Sequence, residues 1–253
     1  MGTLEGRDGQ VGTPVILGIE TSVEHVGVAL GDHRGLRAST SLSSDRRHAE
    51  SLAPMISFVL GQAGITTSDL TAIAVDIGPG LFTGMRVGIT TAQTMAWALE
   101  IPVVPVCSLD LVAMNAVVEG AIDDETPVAA ALDARRGEVY WALYRFREDS
   151  IEPMGIRAPE VCAPEETAVI LAERAESVSC AGSGFVRHHE LFASVPWATC
   201  LPASSAHPRA ENLVRLAGMK LAREESVEAD MVAPMYLRAP DAEIHWNTRE
   251  ARP

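Results

Sequence analysis

The 253-residue sequence is poor in positive charge and in the histidine patterns that hold metal ions. Its seven histidines include no pair spaced four residues apart, so no helix can offer two imidazoles to one metal ion. Twenty Lys and Arg stand against 34 Asp and Glu, a formal net charge of −14. The histidine spacing leads us to predict no metal, and we also predict no cofactor. Because phosphate contacts need clustered basic side chains, we predict only indirect contact with nucleic acid.

Cysteine pairs and long apolar runs are also missing. The four cysteines are widely spaced, form no C-x-x-C pair and follow no secretory leader, which predicts reduced residues in a core. No apolar run reaches the length of about 18 residues that a membrane span needs. We therefore expect a cytoplasmic protein that does not enter the membrane.

Apolar patterning after residue 14 predicts a first α/β lobe over residues 15–112. Residues 1–14 are Gly-rich and lack periodicity, which indicates a disordered tail. The lobe begins with three short strands and continues as helix, strand, helix, strand, the order of a ribonuclease-H-like lobe. The last four elements are expected at about 48–60, 71–75, 84–99 and 103–106.

A similar pattern begins near Pro127 and predicts a second lobe over residues 113–253. A strand ends at Asp133, and a turn and another strand follow it, as they do after Glu20 in the first lobe. Such an internal repeat indicates two related lobes, each a mixed sheet flanked by helices. Further helices are expected at 164–175, 185–193 and 208–225 and a strand at 177–181, and we expect the last helix to pack back on the N-terminal lobe.

Acid-bearing turns follow the first strand of each predicted lobe. In two-lobed ATPases such turns face the nucleotide, which makes Glu20, Thr21, Ser22 and Asp133 candidate nucleotide contacts. The first turn lacks a glycine that would let backbone N–H groups cradle phosphate, and the turn after Asp133 carries bulky arginines. We interpret these four residues as a vestigial nucleotide cleft and predict no catalytic residue.

A glycine-rich turn at residues 76–88 joins a predicted strand to a long helix. Glycine at such a junction allows positive φ and lets a neighbouring surface come close. Within the helix, Gly84, Gly88, Ala92 and Ala96 recur every four residues, so another backbone can pack closely along this stripe. The spacing alone favours a place in the core over a place in an interface.

Several of these segments together resemble the TsaB (YeaZ) family, and the resemblance covers nearly everything after Pro14. It implies a two-lobed, actin-like ATPase fold. It also implies a non-catalytic scaffold subunit, required for threonylcarbamoyl-adenosine next to the anticodon of tRNA, that docks and activates the TsaD catalytic subunit alongside the TsaE ATPase. The motifs that carry the resemblance are residues 19–22, 47–52, 78–88, 133–140 and 234–238.

The same resemblance points to a missing metal site. TsaD, a paralogue of the family, has an H-x-x-x-H pair directly after the strand that corresponds to residues 103–106, whereas this chain has Ser108 and Val112. A hydroxyl and an isopropyl group cannot replace two imidazoles as ligands. This favours a non-catalytic partner over the alternative, an actin-like-fold ATPase or a glycoprotease-type metallopeptidase acting on its own.

Members of the family are expected to pair with themselves or with TsaD through two N-lobe helices. The spacing alone favoured a place in the core for these helix faces, whereas the resemblance implies that they form an interface. The same interface would also allow a homodimer. We predict that it is formed by Leu52, Met55, Ile56, Val59, Met85, Arg86, Gly88, Ile89, Ala92, Gln93 and Ala96.

Overall fold

The computed structural model describes residues 13–43, 48–118, 120, 126–148 and 150–238. Apart from positions 13 and 14, the predicted tail lies outside the described residues. The described chain forms two compact units. The first contains residues up to Ile77, Leu81–Leu111 and Pro208–Ala233, and the second contains Gly78–Gly80, Val112–His207 and the residues from Pro234 onward.

The first unit is built on a five-stranded mixed sheet of order β3-β2-β1-β4-β5. Strands β1, β2 and β3 are antiparallel neighbours, while β4 pairs parallel to β1 and β5 parallel to β4. Its strands are β1 (Ile16–Glu20), β2 (His25–Asp32), β3 (Gly35–Ser43), β4 (Ala72–Asp76) and β5 (Val103–Val106), and its helices are α1 (His48–Ala63), α2 (Phe82–Leu99) and, after the second unit, α7 (Ala210–Ala222). Helix α3 (Ser108–Val118) begins in this unit.

The second unit repeats this arrangement with the order β10-β9-β6-β7-β8. Strands β6, β7 and β8 are antiparallel neighbours, and β9 and β10 add in parallel on the other side of β6. Its strands are β6 (Val128–Asp133), β7 (Val139–Arg145), β8 (Met154–Cys162), β9 (Val178–Ala181) and β10 (Ala198–Cys200), and its helices are α4 (Pro164–Glu173), α5 (Ser183–Arg187) and α6 (His189–Phe192).

The two strand orders correspond one to one, β1 with β6 and so on to β5 with β10, and each pairing keeps its direction. The predicted fold class, two ribonuclease-H-like lobes of the actin-like type with mixed sheets and flanking helices, is confirmed. Each sheet has its acid-bearing turn in the same place, after the central strand that begins the repeat.

Both faces of the first sheet are covered. Leu17 and Ile19 of β1 lie in one apolar cluster with residues of α1 and α2. The alternate residue, Gly18, faces the opposite way, and Val214 of α7 lies against it. Without a side chain at Gly18, α7 comes within contact distance of the β1 backbone. The last helix therefore belongs to the first unit.

Some elements differ from the pattern-based expectations. Helix α3 escaped prediction because its residues from 109 to 114, except the half-buried Asp110, are buried all round, so no polar face marks a helical period. The helix expected at 185–193 is broken at His188 into α5 and α6. Helix α2 begins at Phe82, before the expected Gly84. None of the described helices is long and apolar enough to span a membrane.

Candidate functional site

The turn after β1 is fastened within the first unit by short hydrogen bonds. The Thr21 hydroxyl donates to the carbonyl oxygen of Gly84 at 2.8 Å, and the N–H of Leu81 donates to the carbonyl oxygen of Ser22 at 2.6 Å. Glu20 is 1% exposed, and Thr21 and Ser22 are fully buried. The side chains of this turn therefore face protein and not solvent.

Two buried carboxyl groups meet behind the turn, one from Glu20 and one from Asp76 at the end of β4. The Ser22 hydroxyl lies 2.7 Å from Oε1 of Glu20 and 2.9 Å from Oδ2 of Asp76, and its N–H donates to the same Oε1 at 2.6 Å. The Ser108 hydroxyl donates to Oδ1 of Asp76 at 2.6 Å. These contacts of the pair are with neighbours inside the unit.

The carboxyl groups of Glu20 and Asp76 are close neighbours, because the Ser22 hydroxyl lies within hydrogen-bond distance of both and all three side chains are buried. Burial, and then the nearby charge of Asp76, raises the pKa of Glu20 well above its ordinary value. Burial and the neighbouring carboxyl group therefore both favour the protonated form of Glu20.

Helix α2 explains why glycine stands at two positions after the Gly-rich turn. A Cβ added at Gly84 would lie 2.1 Å from the carbonyl oxygen of Thr21, and one added at Gly88 would lie 2.3 Å from the Thr21 hydroxyl. His48, the first residue of α1, supports the same turn by donating from Nε2 to the carbonyl oxygen of Val23 at 2.8 Å. The close approach predicted for this glycine stripe is therefore made by the chain's own β1 turn.

The predicted nucleotide contacts of the first turn stay a prediction, and the observed contacts speak against them. Glu20, Thr21 and Ser22 were expected to line a vestigial cleft, yet all three are buried, and their side chains bond to groups of the same unit. A ligand could reach these atoms only if α2 moved away from the turn. The first turn acts as a structural joint between β1, β4 and α2.

The positions of the absent histidine pair are occupied by side chains with structural tasks. Ser108 is fully buried and bonded to Asp76, and Val112 is fully buried as well. Among the residues that the structure describes, no group of three or more His, Cys, Asp and Glu side chains could hold a metal ion.

The second acid-bearing turn, after β6, is more open and is paired with arginine. The Asp133 side chain is 13% exposed and accepts from the N–H of Arg135 at 2.9 Å and from Nη1 of Arg187 at 3.1 Å. Arg135, Arg136 and Gly137 have φ of +63°, +57° and +78°, a left-handed turn whose two arginines are exposed. Asp133 as a nucleotide contact stays a prediction.

The predicted interface residues lie mostly inside the first unit, and the interface itself stays a prediction. Nine of the eleven are buried, because the stripe on α2 and the apolar side of α1 cover the unit's own sheet. Of the other two, Gln93 donates from its amide to the carbonyl oxygen of Val232 at 3.0 Å, and Arg86 is exposed. The nine buried residues are Leu52, Met55, Ile56, Val59, Met85, Gly88, Ile89, Ala92 and Ala96.

The opposite side of α2 is exposed, and we call it the α2 outer face. Trp97 is 80% exposed and Phe82 48% exposed, large apolar areas for side chains in contact with water. The guanidinium of Arg86 lies 3.8 Å from the centre of the Phe82 ring. An open pocket of about 560 Å³ lies along part of this face. The α2 outer face consists of Phe82, Thr83, Arg86, Thr90, Thr94 and Trp97.

Sequence reasoning named only Arg86 of this outer face, because the small-residue stripe favoured the other side of the helix. One signal was available in the sequence. Trp97 and Phe82 are aromatic residues on a helix whose other side already carries enough small and apolar residues to cover a sheet. A helix that is apolar on two sides has more apolar surface than one sheet can cover.

Comparisons with known proteins fit this geometry. The model of the family TsaD, described as tRNA N6-adenosine threonylcarbamoyltransferase, matches residues 38–246. The tRNA threonylcarbamoyladenosine biosynthesis protein TsaB of Escherichia coli is 33% identical over 227 residues, 88% of this chain and 94% of that protein. TsaB of Bacillus subtilis is 29% identical and matches 91% of this chain and 97% of its own length.

A solved structure agrees with these relatives. YeaZ from Pseudomonas aeruginosa is 37% identical, with a TM-score of 0.78 over 88% of this chain and all of that one. The match to the TsaD model sets the class of protein, the threonylcarbamoyltransferase-like proteins of two-lobed fold. Within that class, the chain belongs to the TsaB (YeaZ) family.

Proposed function

We propose that the chain is a non-catalytic subunit required for threonylcarbamoyladenosine formation in tRNA, and that it docks and activates a TsaD catalytic subunit. The names of its relatives in E. coli and B. subtilis support the pathway. The observation that carries the non-catalytic role is the first turn, where Glu20 and Asp76 are buried and both bonded to serine hydroxyls.

The α2 outer face is the surface proposed for docking TsaD. It lies on one of the two helices through which the family is expected to pair, and it replaces the buried residues of the original prediction. Its exposed aromatic groups, Phe82 and Trp97, are of the kind that anchor protein interfaces, and Thr90 lies between them in the middle of the helix. In the absence of TsaD, we propose that the same face pairs two copies of this chain.

The remaining partners follow from the proposed pathway. TsaE is proposed as a third component, and tRNA is proposed to be held by the other subunits, because the net charge of −14 disfavours a phosphate-binding surface here. A part in tRNA modification would put the chain in the cytoplasm.

The alternative of an independent ATPase or metallopeptidase gains no support from the described residues. A phosphate site in the first unit would need N–H groups and hydroxyls of the turn after β1 as donors. The Thr21 hydroxyl already donates to Gly84 of α2, and the Leu81 N–H already donates to the carbonyl oxygen of Ser22. A metallopeptidase would need ligands where Ser108 and Val112 stand. Turnover by the isolated chain that depends on Glu20 or Asp133 would favour this alternative.

Docking can be tested with the substitution Thr90→Arg, which adds bulk and charge at the middle of the α2 outer face. Thr90 is exposed, so the folded chain should keep its melting temperature. We expect the dissociation constant for TsaD, measured by titration calorimetry, to rise by about tenfold or more. Trp97→Ala should weaken the same complex, because it removes the most exposed aromatic side chain of this face.

The matched control is Val169→Arg, on helix α4 of the second unit. Val169 is 56% exposed, so the change places the same new side chain on a different helix. The control should bind TsaD as the unmodified chain does. Equal affinity of Thr90→Arg and Val169→Arg would show that the α2 outer face takes no part in docking.

A further inference from the structure

Cys180 and Cys200 lie side by side at one edge of the second sheet. They are aligned partners on the parallel strands β9 and β10, and both belong to the apolar cluster of that unit. Neighbouring strands lie about 4.8 Å apart. A disulfide needs Cα atoms separated by about 4.4 to 6.8 Å, so the register meets the first requirement for a bond between the two sulfur atoms.

The two thiols differ in environment although they are neighbours. Cys180 is fully buried on β9, whereas Cys200 is half-buried on β10, a three-residue strand at the sheet edge with a partner strand on one side only. A short edge strand has few contacts that resist a small shift. The pair therefore combines a protected sulfur with one that solvent reagents can reach and that has room to move.

The two thiols are also chemically unequal. Hydrogen bonding to the neighbouring Cys180 thiol lowers the pKa of the half-buried Cys200, although partial burial acts in the opposite direction. The neighbouring Cys200, together with burial, raises the pKa of Cys180 well above its ordinary value. Near neutral pH, Cys200 is the thiol that supplies a thiolate.

We propose that Cys200 and Cys180 form an oxidation-sensitive dithiol that reacts with hydroperoxides and closes to an intramolecular disulfide. The Cys200 thiolate attacks one peroxide oxygen, the O–O bond breaks, and the leaving oxygen departs as hydroxide or alkoxide, which leaves Cys200 as a sulfenic acid. The Cys180 sulfur then attacks the Cys200 sulfur. The S–S bond forms as the S–O bond breaks, and the Cys180 proton and the leaving hydroxide form water.

The other two cysteines provide internal references. Burial raises the pKa of Cys107 far above its ordinary value, and the side chain is 8% exposed. Cys162 is half-buried like Cys200, but burial raises its pKa, and its sulfur lies 3.2 Å from the Thr167 hydroxyl. Neither has a second cysteine aligned with it on a neighbouring strand. Selective oxidation should therefore fall on the Cys180–Cys200 pair.

The test treats the full chain at neutral pH with a small excess of hydrogen peroxide and maps the products by mass spectrometry without reduction. The unmodified chain should lose two hydrogen atoms and yield a Cys180–Cys200 linked peptide that a dithiol reductant separates. Cys162→Ala, the matched control, should give the same link. Cys180→Ser keeps a hydrogen-bond donor but cannot form the link, so oxidation should stop at oxygen adducts of Cys200.

A second readout follows the reactivity of Cys200 without any oxidant. Alkylation of Cys200 by iodoacetamide at pH 7 should be about three- to sixfold slower in Cys180→Ala, which has lost the donor, and near the original rate in Cys180→Ser. The proposal is wrong if peroxide oxidises Cys107 or Cys162 first. It is also wrong if Cys200 of the unmodified chain accumulates oxygen adducts without the link, or if Cys180→Ala leaves the alkylation rate unchanged.

Discussion

The turn after β1 and the turn after β6 occupy the same place in two sheets of identical strand order, yet their chemistry differs. The first holds Glu20 in a buried pair with Asp76, with serine hydroxyls as the neighbours. The second holds Asp133, which is partly exposed and bonded to Arg187. Topology fixes where an acid stands at the end of a strand, and the neighbouring side chains decide whether a ligand could reach it.

The difference comes from what packs against each turn. In the first unit the backbone of α2 lies on Thr21 at Gly84 and Gly88, which excludes solvent from the acid pair. In the second unit a left-handed turn places Arg135 and Arg136 toward solvent. A buried acid pair costs stability unless it is bonded and protonated, whereas a partly exposed ion pair contributes little in either direction.

The largest expected effect comes from adding a side chain where α2 packs against the first turn. Gly84→Ala would place a Cβ 2.1 Å from the carbonyl oxygen of Thr21, a backbone atom that cannot rotate away. We expect the free energy of unfolding, measured by denaturant titration, to fall by about 3 kcal/mol or more. Gly61→Ala is the matched control, because α1 has open space at Gly61.

The control should move in the opposite direction. Alanine at an open helical position stabilises by about 0.5–1 kcal/mol relative to glycine. If Gly84→Ala unfolds at the same denaturant concentration as the original chain, then α2 does not lie against Thr21 as described.

The next effect compares Ser22 of the first turn with Ser183, the first residue of α5, which contacts Asp133 of the second turn. Ser22→Ala removes a hydroxyl that contacts both carboxyl groups of the buried pair, so we expect a loss of about 2 kcal/mol in the free energy of unfolding. Ser183→Ala removes a hydroxyl that accepts from the N–H of Asp133 at 3.2 Å in a partly exposed place. Its loss should stay below about 1 kcal/mol. Equal losses would remove the distinction between a closed and an open turn.

The third effect is a pH dependence that arises in the first turn. Because the pKa of Glu20 is raised in the folded state, the folded chain binds a proton that the unfolded chain releases. Folding stability is therefore lost as pH rises, from the ordinary pKa of glutamate until the raised pKa is passed. Glu20→Gln keeps the shape and lacks the ionisation.

The stability of Glu20→Gln relative to the original chain should increase by up to about 1.4 kcal/mol per pH unit from pH 5 upward. Denaturant titrations at several pH values measure the slope, and Glu50→Gln, the same change at an exposed site, serves as the reference. A Glu20→Gln variant that loses stability relative to the original chain as pH rises would mean that Glu20 is ionised when folded.

Much of the fold could be read from the sequence, because apolar alternation and helical spacing report which residues are buried. Strand β5 was predicted with its observed bounds, and β1 to β4 were each predicted near their place. Strand β8 was missed because it is an exposed edge strand whose side chains do not alternate between buried and exposed. Strand β10 has only three residues, too few to show a period.

The site was harder to predict than the fold, for a physical reason visible on α2. The small residues on this helix indicate that another backbone packs closely against it, and they are Gly84, Gly88, Ala92 and Ala96. The same spacing would suit either the turn after β1 or a helix of a partner, so the sequence does not distinguish the two. Likewise, Glu20 and Asp76 are 56 residues apart in sequence. Only the parallel pairing of β1 and β4 brings their side chains together.

The most direct test measures threonylcarbamoyladenosine formed on tRNA in a reconstituted reaction with TsaD, TsaE and the threonylcarbamoyl donor. We predict that Glu20→Gln supports nearly the same yield as the original chain, because the first turn is structural. Thr90→Arg should lose most of the yield at limiting subunit concentrations, because we propose that TsaD docks on the α2 outer face. A folded Glu20→Gln variant that abolishes the modification while Thr90→Arg sustains it would contradict this account.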